Sequence, residues 1–479
     1  MIPDPWKTRL LGRLPGVEAR RQPWRTAGLR LIPLLLLPAA VLVAQPYTLR
    51  RAVEEAASRY PTVAVSAERL EAATAAVRLA RTAWLPRADL TAQVNRATRN
   101  NVFGMLLPPA GVPSISGPPL ASNDMTSVWG SATGLQISWE PFDFGLRRAS
   151  LNSAEAARRR SAAAAERARL EAAFAAADAF LIVLAARQTE AAAQAGVERA
   201  KALKSVVDAL VQAQLRPGAD ASRAAAELAS AMNQRIQAAQ AVEAARASLA
   251  QYVSEDGSLP DVDPGPFLRS VPEASAPEAA SGDHPQLAEQ RAAVEQSAAA
   301  LDAAAKSWRP KFAVTAAAYA RGTGAMPDGT TLSGFSGLGP NIFNWGVGLA
   351  LNFPLSELPA WKARKDAALH EERAEKARQL QIQRELHTAV VRARAALDAA
   401  RRIAENTPVQ LKAARDAEAQ SMARYRAGLA TLAEAAEAQR MLVLAEIDDS
   451  LARLNVWRAL LHVCAAAGDL EPFLREAGR

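Results

Sequence analysis

Apolar residues recur along this chain at two different periods, and stretches of the two kinds take turns. From Leu146 to about Ala213 no proline interrupts a run in which Leu170, Phe174, Ala177, Leu181 and Leu184 step by four and three. The same steps return at Leu386, Val390, Ala393, Leu397 and Ala400, each 216 residues later. Such steps put the apolar side chains in one narrow stripe of a helix, the seam of a coiled coil. A helix of roughly 67 residues is about 100 Å long. The second long helix, Trp361 to Ala427, carries Pro408, where a kink or bulge is expected.

Shorter helices accompany the long ones. Leu215 to Tyr252 and Leu429 to Ala467 follow them, and Pro61 to Trp84 and Pro285 to Trp308 open each half. Placed end to end, about 38 and about 24 residues nearly match one long helix at 1.5 Å per residue. The pattern predicts a tube of side-by-side rods, long and composite alternating.

Elsewhere the period is two. Leu90, Ala92 and Val94 alternate with Thr91, Gln93 and Asn95, and Leu135, Ile137 and Trp139 alternate with Gln136, Ser138 and Glu140. The second half repeats this at Phe312, Val314 and Ala316 and at Val347, Leu349, Leu351 and Phe353. These are strands, at about 88–97, 134–142, 312–320 and 345–353. Loops rich in glycine, proline and serine join them, Asn100 to Trp129 and Arg321 to Asn344. Alternating strands with aromatics near their ends fit a membrane barrel, apolar outside and polar in the lumen. A pair of soluble hairpins is the alternative, although a two-stranded hairpin alone is marginal in water. Four strands do not close a barrel, so several chains would have to share one.

The chain also contains itself twice. Tyr60-Pro61 through Trp84-Leu85-Pro86 recurs as His284-Pro285 through Trp308-Arg309-Pro310, at a constant spacing of 224 without a gap. Glu71 pairs with Glu295, Ala76 with Ala300 and Thr91 with Thr315. A repeat this long exceeds any solenoid unit and means two similar halves of one architecture. The expected division is 45–253 and 284–468, joined by an irregular belt at 254–283 and ended by a tail at 469–479.

Composition changes this picture only at its ends. Aromatic residues are 5% of the chain, which suits rods better than thick cores. Residues 1–44 have a basic stretch followed by Leu31 to Ala44, apolar but short and broken by prolines, and are expected to be a cleaved secretory signal. They hold seven Lys/Arg and two Asp/Glu, so without them the formal charge falls from +8 to 8 − 5 = +3. No basic patch is interleaved with aromatics, which argues against nucleic acid.

Cys464 is the only cysteine, expected to be a buried small residue, so neither a disulfide framework nor a lipid-carrying cysteine after the signal is in view. His284, His370, His387 and His462 are scattered without metal-ligand spacing and read as surface or capping residues. Gly322-Thr323-Gly324 and Gly334 to Gly339 precede no helix and so do not make a phosphate loop. Asp261 and Asp263 lack a third acid at calcium-site spacing. No catalytic group, metal or cofactor site is expected, and an enzyme is excluded on this reading.

Several short segments stand in order on this duplicated chain: Thr48-Leu49-Arg50-Arg51-Ala52-Val53 leading to Tyr60-Pro61, then Ala83-Trp84-Leu85-Pro86, Trp139 with Phe142-Asp143-Phe144-Gly145, and Arg424-Tyr425-Arg426-Ala427-Gly428-Leu429-Ala430-Thr431-Leu432. Together they resemble the TolC family of outer-membrane efflux proteins. The resemblance covers essentially the whole mature chain. It implies a mainly α fold with a small β part: a homotrimer whose helices form a periplasmic tunnel and whose strands form one 12-stranded outer-membrane barrel, four per chain. The implied partners are outer-membrane lipid, a periplasmic adaptor and an inner-membrane pump of the resistance-nodulation-division or ABC type. The function implied is a passive exit duct for efflux or type I secretion, closed at its periplasmic end. A non-conducting coiled-coil scaffold or spacer in the envelope is the alternative.

The resemblance also implies roles for residues. The helix-hairpin tips, which adaptors would meet, fall at Gln214-Leu215 and at Gly428-Leu429, with Thr431 beside the second. The first departs from the family pattern, with Gln214 for glycine and Arg216-Pro217-Gly218 beyond it. Glu434 and Glu437 match acidic positions around the closed end, whereas periodicity alone reads them as solvated glutamates on an exposed face. Tyr425 and Asp220 match a pair whose hydroxyl–carboxylate bond would hold the gate shut, so removing the hydroxyl is expected to raise conductance. The family's arginine two residues after the tip glycine is replaced by Ala430.

Overall fold

The structure is a computed structural model that describes residues 46–98, 125–273, 282–326 and 330–478. The expected signal segment, much of the loop after Asn100 and part of the 254–283 connector lie outside the described residues. Residues 46–479 form one unit.

Its first half comprises α1 (Leu49–Arg59), α2 (Pro61–Thr82), β1 (Arg87–Thr98), β2 (Ser127–Phe142), α3 (Leu146–Gln212) and α4 (Gly218–Val253). The second comprises α5 (Pro285–Lys306), β3 (Lys311–Thr323), β4 (Ile342–Asn352), α6 (Leu358–Arg426), α7 (Leu432–Ala467) and α8 (Glu471–Ala477). The duplication is visible in the lengths: α2 and α5 both have 22 residues, and α4 and α7 both have 36. Both α2 and α5 start on a proline, whose fixed φ and missing N–H suit a first helical turn.

The long rods have 67 and 69 residues. α2 and α4 lie along α3, and α5 and α7 lie along α6. Because α3 also packs on α5 and α7, the order across the wall is α2/α4, α3, α5/α7, α6. Small side chains set the spacing, since α3 buries mostly alanine and a Cβ on Gly196 would come within 3.1 Å of Val443 on α7. α6 is unbroken at Pro408. The residues flanking that proline are tied to α7, Thr407 Oγ1 donating to Asp449 (3.2 Å) and Gln410 Nε2 to Asp448 (3.0 Å).

The largest apolar cluster sits midway along the rods and draws on α1, α3, α4, α6, α7 and the connector. Phe180, Leu397, Trp457 and Leu460 are fully buried there, and Phe267 of the connector meets Trp457 edge to face at 4.9 Å. Trp457 Nε1 donates to the Ser270 carbonyl at 2.9 Å, so the belt is irregular but fastened. The expected C-terminal tail instead contains α8, whose Phe473 is fully buried against Trp457. Cys464 is buried in the same cluster, and burial pushes its thiol up to about 11. His284 caps α5 by accepting from the Gln286 amide at 3.1 Å.

The four strands form one antiparallel sheet in the order β1-β2-β3-β4. Strands β2 and β3 extend past the expected limits, to Ser127 and Thr323, because glycines admit a close backbone approach there. A Cβ on Gly337 would lie 2.3 Å from the Trp129 carbonyl, so the glycine-rich loop folds back onto the strand ends. Register places Leu90, Leu135, Ala318 and Trp345 in one row and Ala88, Ile137, Ala316 and Val347 in the next. These rows make a continuous apolar face that the described residues leave largely uncovered. Leu90 is 79% and Trp345 81% exposed.

Candidate functional site

Each long helix turns into its shorter successor through the same backbone construction. At the first turn the amide of Leu215 bonds the carbonyl of Leu210 (2.9 Å) and that of Gln214 bonds Val211 (3.0 Å). At the second, Leu429 bonds Arg424 (2.8 Å) and Gly428 bonds Tyr425 (3.1 Å). Both are Schellman closures, which require the residue after the C-cap to be left-handed. Gly428 adopts φ +75° at no steric cost, whereas Gln214 adopts φ +57° with a side chain present. The leucine after each, Leu215 and Leu429, is 70% exposed.

The helices leaving the two turns start differently. α7 has a capping box: the Glu434 amide donates to Thr431 Oγ1 (3.3 Å), and the Glu434 carboxylate accepts from Thr431 Oγ1 (2.9 Å) and the Thr431 amide (3.4 Å). Glu434 is thus first a helix-start residue. The sequence carried this signal in the Thr-x-x-Glu spacing. Glu437, one turn on, faces Arg440 at 3.3 Å, and Arg440 reaches Glu227 of α4 at 4.0 Å. Both glutamates are exposed in the single chain. α4 begins after Pro217 with no side-chain cap and with Asp220 in its first turn.

A small apolar cluster joins the two hairpins at this end: Leu203, Val207, Ala224, Met422, Tyr425, Ala430, Leu432 and Ala435. Tyr425 is its largest member and is fully buried. The bond expected between its hydroxyl and Asp220 is not formed, and Tyr425 Oη has no hydrogen-bond partner among the described residues. Burial, and next the nearby Asp220 carboxylate, push the Tyr425 hydroxyl above the ordinary tyrosine value. The physical reason for the missing bond is the position of Tyr425, whose hydroxyl is enclosed in the cluster while Asp220 stays partly exposed at the start of α4.

Arg216 makes the polar contact instead. Its Nη2 donates to the carbonyls of Tyr425 and Ala430, both at 3.2 Å, and its guanidinium lies 4.8 Å from the centre of the Tyr425 ring. The sequence showed Arg216 only as a departure from a pattern, because carbonyl acceptors leave no residue signature. Further along the rods a half-open cavity of about 410 Å³ lies between the hairpins, lined by Arg199, Ser230, Gln234, Gln439 and Arg440, and Arg199 Nη2 bonds Glu446 of α7 at 2.7 Å.

Comparison with known proteins agrees with this architecture. The family model for outer membrane efflux proteins matches residues 52–255 and 276–469. No curated protein matches the chain in sequence. Among solved structures, the Campylobacter jejuni CmeC outer membrane channel superposes with a TM-score of 0.73 at 17% identity, covering 88% of this chain and 85% of that one. The Vibrio cholerae outer membrane protein VceC gives 0.69 at 16% identity, covering 88% and 96%. The open state of the Neisseria gonorrhoeae MtrE outer membrane channel gives 0.68 at 20% identity, covering 88% and 89%. At these identities the likeness is one of fold.

The paired match to both halves, on a chain of long rods and one four-stranded sheet, defines the class: an outer-membrane channel with a periplasmic helical tunnel. The chain belongs to the outer membrane efflux protein family. It is an efflux channel and not an enzyme, which sets aside the scaffold alternative. Channels of this family form trimers within tripartite efflux systems.

Proposed function

We propose that three copies of this chain form one passive duct, gated at the hairpin tips and loaded by a periplasmic adaptor and an inner-membrane pump. The observation that carries this reading is the pair of open edges on each chain. Among the described residues β1 pairs only with β2 and β4 only with β3, and an exposed strand edge needs a partner. Among the described helices α6 packs chiefly against α5 and α7. Large apolar residues stay exposed on α6 (Leu380, Val391, Ile403, Val409) and on the opposite edge (Val65 and Leu79 of α2, Ile236 of α4). Two different edges on one chain suit a head-to-tail interface, which closes into a ring.

The uncovered apolar rows of the sheet suit contact with outer-membrane lipid. The exposed leucines at the tips, Leu215 and Leu429, with Gln214, Gly428 and Thr431 beside them, suit an adaptor's apolar contact. Asp220, Tyr425, Glu434 and Glu437 cluster at the same end, where a ring of chains would bring the glutamates of each copy towards one pore and favour cations there. Purification from outer membranes should yield a species three chains in mass that conducts in planar bilayers. A monodisperse monomer without channel activity would overturn the reading. Photo-crosslinkers placed at Leu215 and Leu429 should trap the adaptor, and the mass of the product would identify the pump class it serves.

A further inference from the structure

Two residues past the left-handed residue, the first tip carries an arginine, Arg216 after Gln214, and the second an alanine, Ala430 after Gly428. We propose that Arg216 is the latch that holds the hairpins together at the gate, in place of a bond between Tyr425 and Asp220. This rests on the reading of the tips as the gate.

Arg216 belongs to the first turn, yet its contacts are with the second. The Tyr425 carbonyl it bonds lies in the last turn of α6, at the negative end of the helix dipole; it already accepts from the Gly428 amide, and Arg216 takes its second acceptor position. A guanidinium there satisfies acceptors and is favoured by the field. Its second bond, to the Ala430 carbonyl, spans the turn, so one side chain touches both arms of the second hairpin. Stacking of the half-buried Arg216 on the fully buried Tyr425 ring adds a cation–π contact. Pro217, at φ −63°, bars Arg216 from helical backbone geometry and keeps α3 from running on past the turn.

These contacts matter because the tip is a separate patch. The cluster around Tyr425 is distinct from the large cluster midway along the rods, and the cavity beside Arg199 lies between the hairpins away from the turn. Among the described residues the turns themselves are joined by the apolar contacts of this cluster and by Arg216, with the Arg440–Glu227 contact further along α4 and α7. The buried Tyr425 hydroxyl supplies no bond to that closure.

The test uses the full channel with Arg216→Ala, Arg216→Lys and Tyr425→Phe. Spin labels on Leu215→Cys and Leu429→Cys report the distance between turns, and the buried Cys464 stays unlabelled. Losing charge-assisted bonds of this kind should raise the open-to-closed ratio roughly tenfold in Arg216→Ala, seen as higher conductance and a longer label distance. Arg216→Lys should fall between, because an ammonium reaches a carbonyl but does not stack or fork. Tyr425→Phe, which keeps the ring and the carbonyl that Arg216 uses, should open the channel less than Arg216→Ala does. The latch is overturned if Arg216→Ala leaves both readouts unchanged, or if Tyr425→Phe opens the channel as far. If neither the unaltered protein nor any variant conducts, the duct reading fails, and the label distance still decides the latch: separation in Arg216→Ala supports it and a fixed distance removes it.

Discussion

At the first hairpin turn the left-handed position is held by a glutamine and the next helix starts without a side-chain cap. At the second, that position is a glycine and the next helix starts from a capping box. Backbone bonding is the same in both, so the difference lies in local strain. The second turn is stable on its own side chains. The first carries strain at Gln214 and an uncapped helix start, and sends its one large cation across to its neighbour. A duplicated motif has thus become one self-sufficient turn and one turn that works as a clamp.

Exchanging the left-handed residues should break this contrast most strongly. A Cβ at Gly428 meets nothing within 4 Å, so Gly428→Ala tests backbone conformation alone. It should destabilise the turn by about 1–2 kcal/mol, the usual cost of a left-handed residue with a side chain. Hydrogen exchange of the amides of Gly428 and Leu429 would register it, and unchanged protection would show that the φ of this residue is not what the turn needs. Thr431→Ala comes next, at about 1 kcal/mol for a lost N-cap. Exchange should quicken in the first turn of α7 and not in that of α4, which has no such cap to lose.

Gln214→Gly should move the first turn the other way. Relief of the left-handed strain, offset by the greater freedom of glycine in the unfolded chain, leaves a gain of about 0.5–1 kcal/mol. Slower exchange at Leu215 with unaltered conductance is the expected result. A loss of stability would mean that the Gln214 side chain makes a contact in the trimer that offsets its backbone.

The rods, the strands and their repetition were legible in the chain because period and proline position report directly on helix and strand. α8 was not, since seven residues are too short to show a period and its stability comes from burying Phe473. The strand ends near Ser127 and Thr323 were hidden because glycine packing leaves no apolar alternation. At the turns, Gly428 and the Thr431–Glu434 spacing were readable. The role of Arg216 was not, because its partners are carbonyls that every residue possesses.

The smallest effect belongs to Tyr425 and sharpens the comparison furthest. An orphaned buried hydroxyl stabilises nothing by bonding, so Tyr425→Phe should change stability by less than about 0.5 kcal/mol or raise it slightly, because it removes an unpaired polar group. Its pH dependence separates this from a hidden bond. Burial and then Asp220 raise the hydroxyl above the ordinary value of 10.0, so the folded turn keeps it neutral where the unfolded chain would ionise it. Its contribution is complete below pH 10 and is lost as pH rises through the folded value. Alkaline unfolding followed at the turn should therefore shift upward in Tyr425→Phe and coincide with the unaltered protein near neutrality. A large loss at neutral pH would instead restore the hydroxyl to the gate and return the clamp to Asp220.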